Sequence, residues 1–254
     1  MATVFLITNP VDSATLTESS ENSMLPVENV QEARAGKVWE TTGASVNQNV
    51  VVDMGGTQAA TYIGLVHPDE NLTPGNIQGN STDSWGSPSF DESITGSGKT
   101  HVYKFSVGAL VRYYRFTFTQ PVSTPSHLGR LFIGNATTLT ENMDYDGFTI
   151  SPIDRTATTK ADGGSYSDQR LGFSRLTLPF SDITEATKTT LKETIFDVVG
   201  THTPFFVQPD DTETGADDWY YVKFSSAPVF ENTGCSNGGL IWSTNLVFDE
   251  EIPL

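Results

Sequence analysis

The sequence has few cysteines, few basic residues and no long hydrophobic run. Its 254 residues include a single cysteine, Cys235, so no intrachain disulfide can form. Fourteen Lys and Arg residues stand against 31 Asp and Glu residues, which gives a formal charge of −17. A surface of that sign repels polyanions, so we expect no nucleic-acid partner. No stretch approaches the length of a membrane span, and we expect no membrane insertion.

The first residues, "MATVFLITNPVDSATL", contain no basic segment. The apolar run over residues 4–7 is too short for the core of a signal peptide. We therefore expect the chain to be made in a cytoplasm without Sec-type export. The Asn-x-Ser/Thr sequences at Asn71, Asn80 and Asn135 are then chance features of a Thr-rich chain.

Motifs of catalytic and metal sites are also missing from the sequence. It contains no HExxH, CxxC or GxSxG, and the four histidines, at 67, 101, 127 and 202, form no pair at metal-ligand spacing. Cys235 is predicted to lie in a loop, "ENTGCSNGG", with no histidine nearby. The sequence therefore predicts no catalytic residue, no cofactor, no metal and no enzymatic activity.

Two alternatives to that prediction depend on acidic residues. The loop over residues 210–218 carries five carboxylates, but their order differs from that of an EF-hand. A solvated acidic loop is favoured, and a calcium ion stays open. A glycosidase would need two carboxylates whose separation only the fold decides. Candidates are Asp53, Asp69, Glu70, Asp83 and Asp91.

Asp53 has a structural interpretation beside the catalytic one. It follows the apolar run Val50 to Val52 and precedes Gly55 and Gly56. An Asp side chain at such a place accepts backbone N–H groups of the turn. We therefore interpret Asp53 as a turn-forming residue at the end of a strand, and Trp39 as a core or strand-edge aromatic.

Short apolar segments separated by Thr, Ser, Gly, Asn and Pro predict a mainly β chain. "YYRFTF" alternates, so Tyr114, Phe116 and Phe118 share one face. One helix is predicted near 182–199, with Asp182 and Glu185 as a capping box, and Gly200 at its end. Its apolar face is predicted to hold Ile183, Ala186, Leu191, Ile195 and Val198.

Two aromatic residues lie at or near predicted loops, where binding residues concentrate. Trp85 is flanked by Asp83, Ser84 and Gly86, and His67 precedes Pro68. Either ring could stack on a sugar, although a core role is the alternative. Trp85 is the candidate glycan-binding residue.

Several segments between residues 20 and 135 occur together in one known family. These are Trp39 with Thr41 and Thr42, "VVDMG" over 51–55, Asn71-Leu72, and "YRFTF" over 114–118. The set resembles the discoidin-like, or galactose-binding-like, jelly roll. The resemblance implies a β-sandwich over residues 1–136, followed by a smaller β-rich region with the helix over 137–254. Discoidin ligand residues lie in variable loops, so none is transferred to this chain.

The form "PVENV…R…GKVW" is similar to tail proteins of tailed bacteriophages. That similarity implies a non-enzymatic structural component of the tail, at the tip or baseplate, which assembles as a homo-oligomeric ring. Its partners would be copies of itself and other tail proteins. It would be located in the virion tail after synthesis in the host cytoplasm. The alternative function is a carbohydrate-binding module that contacts host surface glycans.

Overall fold

A computed structural model of the protein describes residues 2–43, 45–67, 72–94, 99–145, 147–161, 164–212, 218–236 and 239–251. Within these residues the chain is mainly β, as the sequence predicts, with sheets of a β-sandwich and one helical segment. Among them, no helix has both the length and the apolar character needed to cross a membrane.

The strands are, in chain order, β1 (Val4–Leu6), β2 (Thr15–Glu18), β3 (Trp39–Glu40), β4 (Asn47–Val66), β5 (Thr73–Asn80), β6 (Phe90–Ser93), β7 (Thr100–Thr119), β8 (His127–Leu128), β9 (Arg130–Gly134), β10 (Thr137–Thr138), β11 (Thr149–Ile153), β12 (Ala157–Ala161), β13 (Gly164–Asp168), β14 (Phe173–Thr184), β15 (Phe205–Gln208), β16 (Tyr220–Phe224), β17 (Glu231–Ser236) and β18 (Gly239–Glu250). Short 3₁₀ helices span Pro10–Ser13 and Val27–Gln31. The helical segment consists of α1 (Glu185–Thr189), a π-helix (Thr190–Phe196) and α2 (Asp197–Val199).

The chain forms two compact units. The first contains residues up to Thr138 and Pro204–Tyr221, and the second contains Leu139–Thr203 and Val222–Glu251. The later segment belongs to the first unit because β15 pairs antiparallel with β1, as β10 also does. The domain limits 1–136 and 137–254 stay a prediction, since compactness alone does not define independently folding domains.

The first unit is built around two strands of 20 residues each, β4 and β7. They lie side by side in an antiparallel sheet of order β2-β4-β7-β5-β6, and β9 also pairs with β4. Tyr114, Phe116 and Phe118 are all buried on one face of β7, which confirms the predicted alternation. Trp39 is fully buried and packs edge-on against Phe118, with ring centroids 5.6 Å apart, so it is a core aromatic.

The sequence predicts that Asp53 lies at the end of a strand, but in the structure it lies within the 20-residue strand β4. Asp53 pairs with Tyr113 and Gln58 with Val111, so four residues of β4 lie opposite Arg112 alone. This insertion is a bulge that accommodates Gly55 at φ +70°. Gly55 therefore bends the strand and does not end it.

In the second unit β14 lies between β11 and β18, and β18 also pairs with β16 and β17. The strands β12 and β13 form a separate two-stranded ribbon. Cys235 was predicted to lie in a loop, and this is wrong, because it lies in β17 and is exposed. The pairing of Cys235 with Leu240 in β18 places it in a hairpin.

The predicted capping box at Asp182 is wrong. Asp182 has φ +55° and lies where the register of β14 against β18 shifts. Helix α1 begins after Thr184, whose hydroxyl accepts the N–H of Thr187 at 3.4 Å. Gly200 ends the helical segment as predicted, with its N–H bonded to the Phe196 carbonyl at 2.7 Å.

The buried face of this segment also differs from the prediction. Leu191 and Ile195 are buried as expected, but Ala186 and Val198 are exposed. Buried side chains recur every four residues, at Thr187, Leu191, Ile195 and Val199. A π-helix has wider turns than an α-helix, and this shifts the buried position from Val198 to Val199.

Candidate functional site

Trp85 lies in the connection between β5 and β6, residues 81–89, which is held by its own hydrogen bonds. Asn80 Nδ2 donates to the Ser84 carbonyl at 2.6 Å, and Asn80 Oδ1 accepts the Ser89 hydroxyl at 3.1 Å. A Cβ atom on Gly79 would lie 2.0 Å from the Phe90 ring, so a glycine is required for Phe90 to pack there. These contacts hold the connection, and with it the backbone of Trp85, in one conformation.

A row of polar side chains crosses the outer face of the adjacent strands. Gln78 on β5 is directly opposite Asp91 on β6 and Arg115 on β7. Its Nε2 donates to Asp91 Oδ2 at 2.6 Å, and its Oε1 accepts Arg115 Nε at 2.7 Å. Asn76 Nδ2 donates to Asp91 Oδ1, also at 2.6 Å. Gln78 therefore links the Arg115 guanidinium on β7 to the Asp91 carboxylate on β6.

The Trp85 ring lies against one end of this row. The Arg115 guanidinium is 4.6 Å from the ring centroid, a cation–π distance. The indole Nε1 donates to Asp83 Oδ1 at 2.8 Å. Trp85 is half-buried, so part of the ring stays open to solvent. We use the name Trp85 ledge for the surface formed by Asn76, Gln78, Asp83, Trp85, Asp91 and Arg115.

Arg115 is the cation of the ledge, and acidic neighbours stabilise its charge. Burial lowers the pKa of the Arg115 guanidinium, while the charges of Asp91 and Asp83 oppose that shift. An arginine stays protonated at neutral pH in spite of such a shift. The ledge therefore offers charged donors at Arg115 and carboxylate acceptors at Asp91.

Asp53 has a different environment. Arg112 binds it through two nitrogens, with Nε to Oδ1 at 2.6 Å and Nη2 to Oδ2 at 2.7 Å. The Gly55 N–H also donates to Asp53 Oδ1 at 2.8 Å, as the turn interpretation predicts. The hydrogen bond from Arg112 holds the pKa of Asp53 below its usual range. A carboxylate bound in this way stabilises the bulge of β4 and is a poor proton acceptor.

Two histidines meet although they are 34 positions apart in the sequence. His67 and His101 are both buried, and their ring centroids are 5.6 Å apart in an edge-on arrangement. His67 was predicted as a loop aromatic able to contact a sugar. That is wrong, because only 4% of the residue is exposed.

The remaining acidic candidates do not assemble into a metal site in the described part of the chain. There, no group of three or more His, Cys, Asp or Glu side chains could hold a metal ion. Asp210 accepts hydrogen bonds from the hydroxyl and the N–H of Thr212, at 2.7 and 2.9 Å. These bonds form a local turn. Glu213 and Asp217 lie outside the described residues, as do Asp69 and Glu70. The solvated acidic loop at 210–218 stays a prediction, with a calcium ion as its open alternative.

The second unit contains a shallow polar cleft of about 310 Å³. Asp144 lies in its wall and accepts both the N–H and the hydroxyl of Ser181, at 2.7 and 2.8 Å. Glu231 and Asn245 also line the cleft. Both oxygens of Asp144 are thus engaged by Ser181. Phe180 also lines the cleft but is buried, so its ring is not open to solvent as that of Trp85 is.

The sequence identifies Trp85 but does not place Gln78, Asp91 and Arg115 beside it. Arg115 is 37 positions from Gln78, and Asp91 is 13 positions from it. Only the strand register places the three in one row. The available signal was the alternation in "YYRFTF", which predicts that Arg115 faces away from the core, where it can meet a loop.

No protein-family model matches the chain, and no curated protein matches it either. Among solved structures, the lectin domain of lectinolysin complexed with Lewis b antigen aligns with 50% of this chain and 95% of its own, at TM-score 0.43 and 13% identity. Chitosan-binding module 1 of a Paenibacillus sp. IK-5 chitosanase/glucanase aligns with 50% and 99%, at TM-score 0.43 and 19% identity. A Streptococcus pneumoniae fucose binding module aligns with 50% and 95%, at TM-score 0.42 and 11% identity. At these scores the likeness assigns no function.

Proposed function

We propose that the protein is a non-catalytic glycan-binding protein and that the Trp85 ledge is its binding surface. The observation that carries the proposal is the fixed, partly open Trp85 ring beside a row of hydrogen-bonding side chains. A pyranose has an apolar C–H face and an equatorial rim of hydroxyls. The ring suits the face, and the guanidinium, amide and carboxylate groups suit the rim.

The ledge is ordered before a ligand arrives, which favours binding. Trp85 is held by Asp83 and Arg115, and Arg115 is held in turn by Gln78. A side chain that is already immobilised loses less conformational entropy when it binds. Because one face of the indole lies against Arg115, a sugar is expected on the open part of the ring.

A glycan array tests the proposal, with bacterial surface polysaccharides and purified oligosaccharides as ligands. Wild type should bind at least one glycan, and Trp85→Ala should bind it at least about tenfold more weakly, a loss of about 1.4 kcal/mol. The control is Tyr145→Ala, which removes a 99% exposed aromatic ring from the second unit. Wild type that binds no glycan, or Trp85→Ala that binds as well as wild type, refutes the proposal.

The ledge also favours binding without hydrolysis. Asp91 accepts hydrogen bonds from two amide groups, and Asp83 accepts one from the indole of Trp85. Each carboxylate thus has a structural contact within the ledge. We expect no release of reducing sugar from any glycan that binds, and such release would show instead that the protein is a glycosidase.

We also propose, as a second function, a structural role in the tail of a bacteriophage virion, as a ring of identical subunits. The β12–β13 ribbon favours self-association, since it pairs with no other strand among the described residues. A lone two-stranded ribbon is marginally stable in water, so a neighbouring subunit would stabilise it. Contacts between different faces of identical subunits form a ring when the rotation from one subunit to the next closes.

Light scattering and electron microscopy test this second proposal. The wild-type protein should form one defined oligomer, and replacing residues 157–168 with a short Gly-Ser loop should yield monomers. Circular dichroism of that variant checks that the rest of the chain folds. A protein that is monomeric at high concentration and missing from purified particles contradicts the proposal. Glycan binding and tail assembly are compatible, because a tail protein can display a binding surface.

A further inference from the structure

The charges on the Trp85 ledge are unbalanced. Arg115 supplies one positive charge, while Asp83 and Asp91 supply two negative ones, and both carboxylates act on the guanidinium. The ledge therefore carries one excess negative charge, on a chain whose formal charge is −17. An acidic sugar brought to the ring would meet Asp83 at the indole Nε1 and Asp91 at the other end of the row.

Gln78 keeps the opposite charges from meeting. It is only 8% exposed, and both ends of its amide are engaged, Oε1 by Arg115 and Nε2 by Asp91. Reversing the amide would bring its nitrogen against the guanidinium and its oxygen against the carboxylate, so the orientation is determined by the neighbours. Adjacent strands are about 4.8 Å apart, so Asp91 and Arg115 lie on backbones about 10 Å apart. Each group therefore stays directed at the ledge and does not close into an ion pair with the other.

On these grounds we propose that the Trp85 ledge selects uncharged glycans over acidic ones, with Asp91 as the residue that determines this selection and Gln78 as a positioning residue. This inference rests on the glycan-binding function proposed above. Neutral sugars offer hydroxyls that donate to Asp91 and accept from Arg115. A uronate or a sulfated sugar adds a negative charge where the excess is already negative.

Calorimetric titration with three oligosaccharides of equal length tests the selection: a neutral N-acetylglucosamine oligomer, its deacetylated cationic form, and an oligomer with alternating uronic acid. At low salt the acidic oligomer should bind at least tenfold more weakly than the neutral one. The difference should shrink as salt is added, because exposed charges are screened within about 10 Å at 0.1 M salt.

Asp91→Asn should reduce that difference to about threefold or less by raising the affinity for the acidic oligomer, since the variant removes the excess charge. Asp53→Asn is the matched control. It changes the total charge by the same amount at a carboxylate already bound by Arg112, so the difference should stay as in wild type. Gln78→Leu should weaken all three ligands alike, because Arg115 and Asp91 can then pair directly.

The outcomes separate the two proposals. If none of the three oligomers and no glycan on the array binds, glycan binding is refuted and the selection with it. If neutral and acidic oligomers bind equally, or if Asp91→Asn and Asp53→Asn change the ratio alike, the selection alone is wrong. Tighter binding of the acidic oligomer than of the neutral one by wild type would also overturn it.

Discussion

Trp39 and Trp85 lie in the same compact unit but in opposite surroundings. Trp39 is fully buried, with its ring edge-on to Phe118 and its Nε1 bonded to the Ser20 carbonyl at 3.2 Å. Trp85 is half-buried, with its ring against a guanidinium. Packing determines the position of the first ring, and hydrogen bonds and charge determine the position of the second. The first therefore serves the fold, and the second is available for a ligand.

Two arginines of β7, Arg112 and Arg115, also differ in how tightly each contacts a carboxylate. Arg112 contacts Asp53 directly, with one nitrogen bonded to each carboxylate oxygen. Arg115 reaches Asp91 only through the amide of Gln78. A direct bidentate pair uses most of the hydrogen-bonding capacity of both partners, whereas the intervening amide leaves part of it for a ligand. Identical residue types thus stabilise a bulge at one place and form part of the Trp85 ledge at the other.

Removing the Trp39 ring should have the largest effect on stability. Trp39→Ala leaves a cavity in a core that includes Phe118 and Leu128, and we expect the free energy of unfolding to fall by about 3–5 kcal/mol. Chemical denaturation measures this loss. Trp39→Phe, which keeps an aromatic ring but loses the bond to Ser20, should lose less. If both variants were as stable as wild type, the contrast between the two tryptophans would not hold.

Trp85→Ala should lower the free energy of unfolding by less than about 1 kcal/mol, although it removes a ring of the same size. The ring loses one cation–π contact and one hydrogen bond at a partly solvated site, and such contacts contribute little there. The same denaturation experiment measures the difference. A loss as large as that of Trp39→Ala would mean that Trp85 belongs to the core, and the ledge would then be structural.

The sequence predicts the structure best where a single segment of the chain determines the local conformation. The alternation of Tyr114, Phe116 and Phe118 requires only the two-residue period of a strand, and the structure confirms it. Gly200 also ends the helical segment as predicted, because a glycine accommodates φ +58° without strain. Such features depend on residues that are neighbours in the chain.

Features that depend on register or on partners distant in the chain could not be predicted. Asp53-Met54-Gly55 has the composition of a turn, and only the pairing of Asp53 with Tyr113 shows that it is a bulge within β4. A period of 3.6 residues predicts that Val198 is buried, but in the structure Val199 is buried and Val198 is exposed. In both cases the backbone departs from the regular geometry that the local sequence pattern predicts.

The Trp85 ledge contains one residue that the local sequence identifies and others that only strand pairing brings beside it. Trp85 could be identified from its loop, because polar and glycine neighbours are typical of exposed aromatics. Gln78 and Arg115 could not, because they gain their role only when β5 pairs with β7. The sequence therefore indicates the exposed ring, and the structure adds the side chains that hold the ring in place.

The smallest expected effect is on how the melting temperature depends on pH. Because Arg112 lowers the pKa of Asp53 in the folded protein, the ionised carboxylate stabilises the fold above its unfolded pKa of about 3.9. That stabilisation is lost as the pH falls through the lower, folded pKa. Asp53→Asn should therefore melt a few degrees below wild type at neutral pH. The gap should begin to narrow as the pH falls below about 4 and should close only below the folded pKa, where Asp53 in wild type is also neutral.

Melting temperatures across this range, measured at constant ionic strength, test the prediction. Arg112→Lys keeps the positive charge but loses the two-nitrogen contact, so its curve should lie between those of wild type and Asp53→Asn. A gap that stays constant with pH would show that the asparagine acts through packing or backbone strain. The contact between Arg112 and Asp53 would then resemble the looser link between Arg115 and Asp91, and the distinction between the carboxylates that these two arginines of β7 contact would be lost.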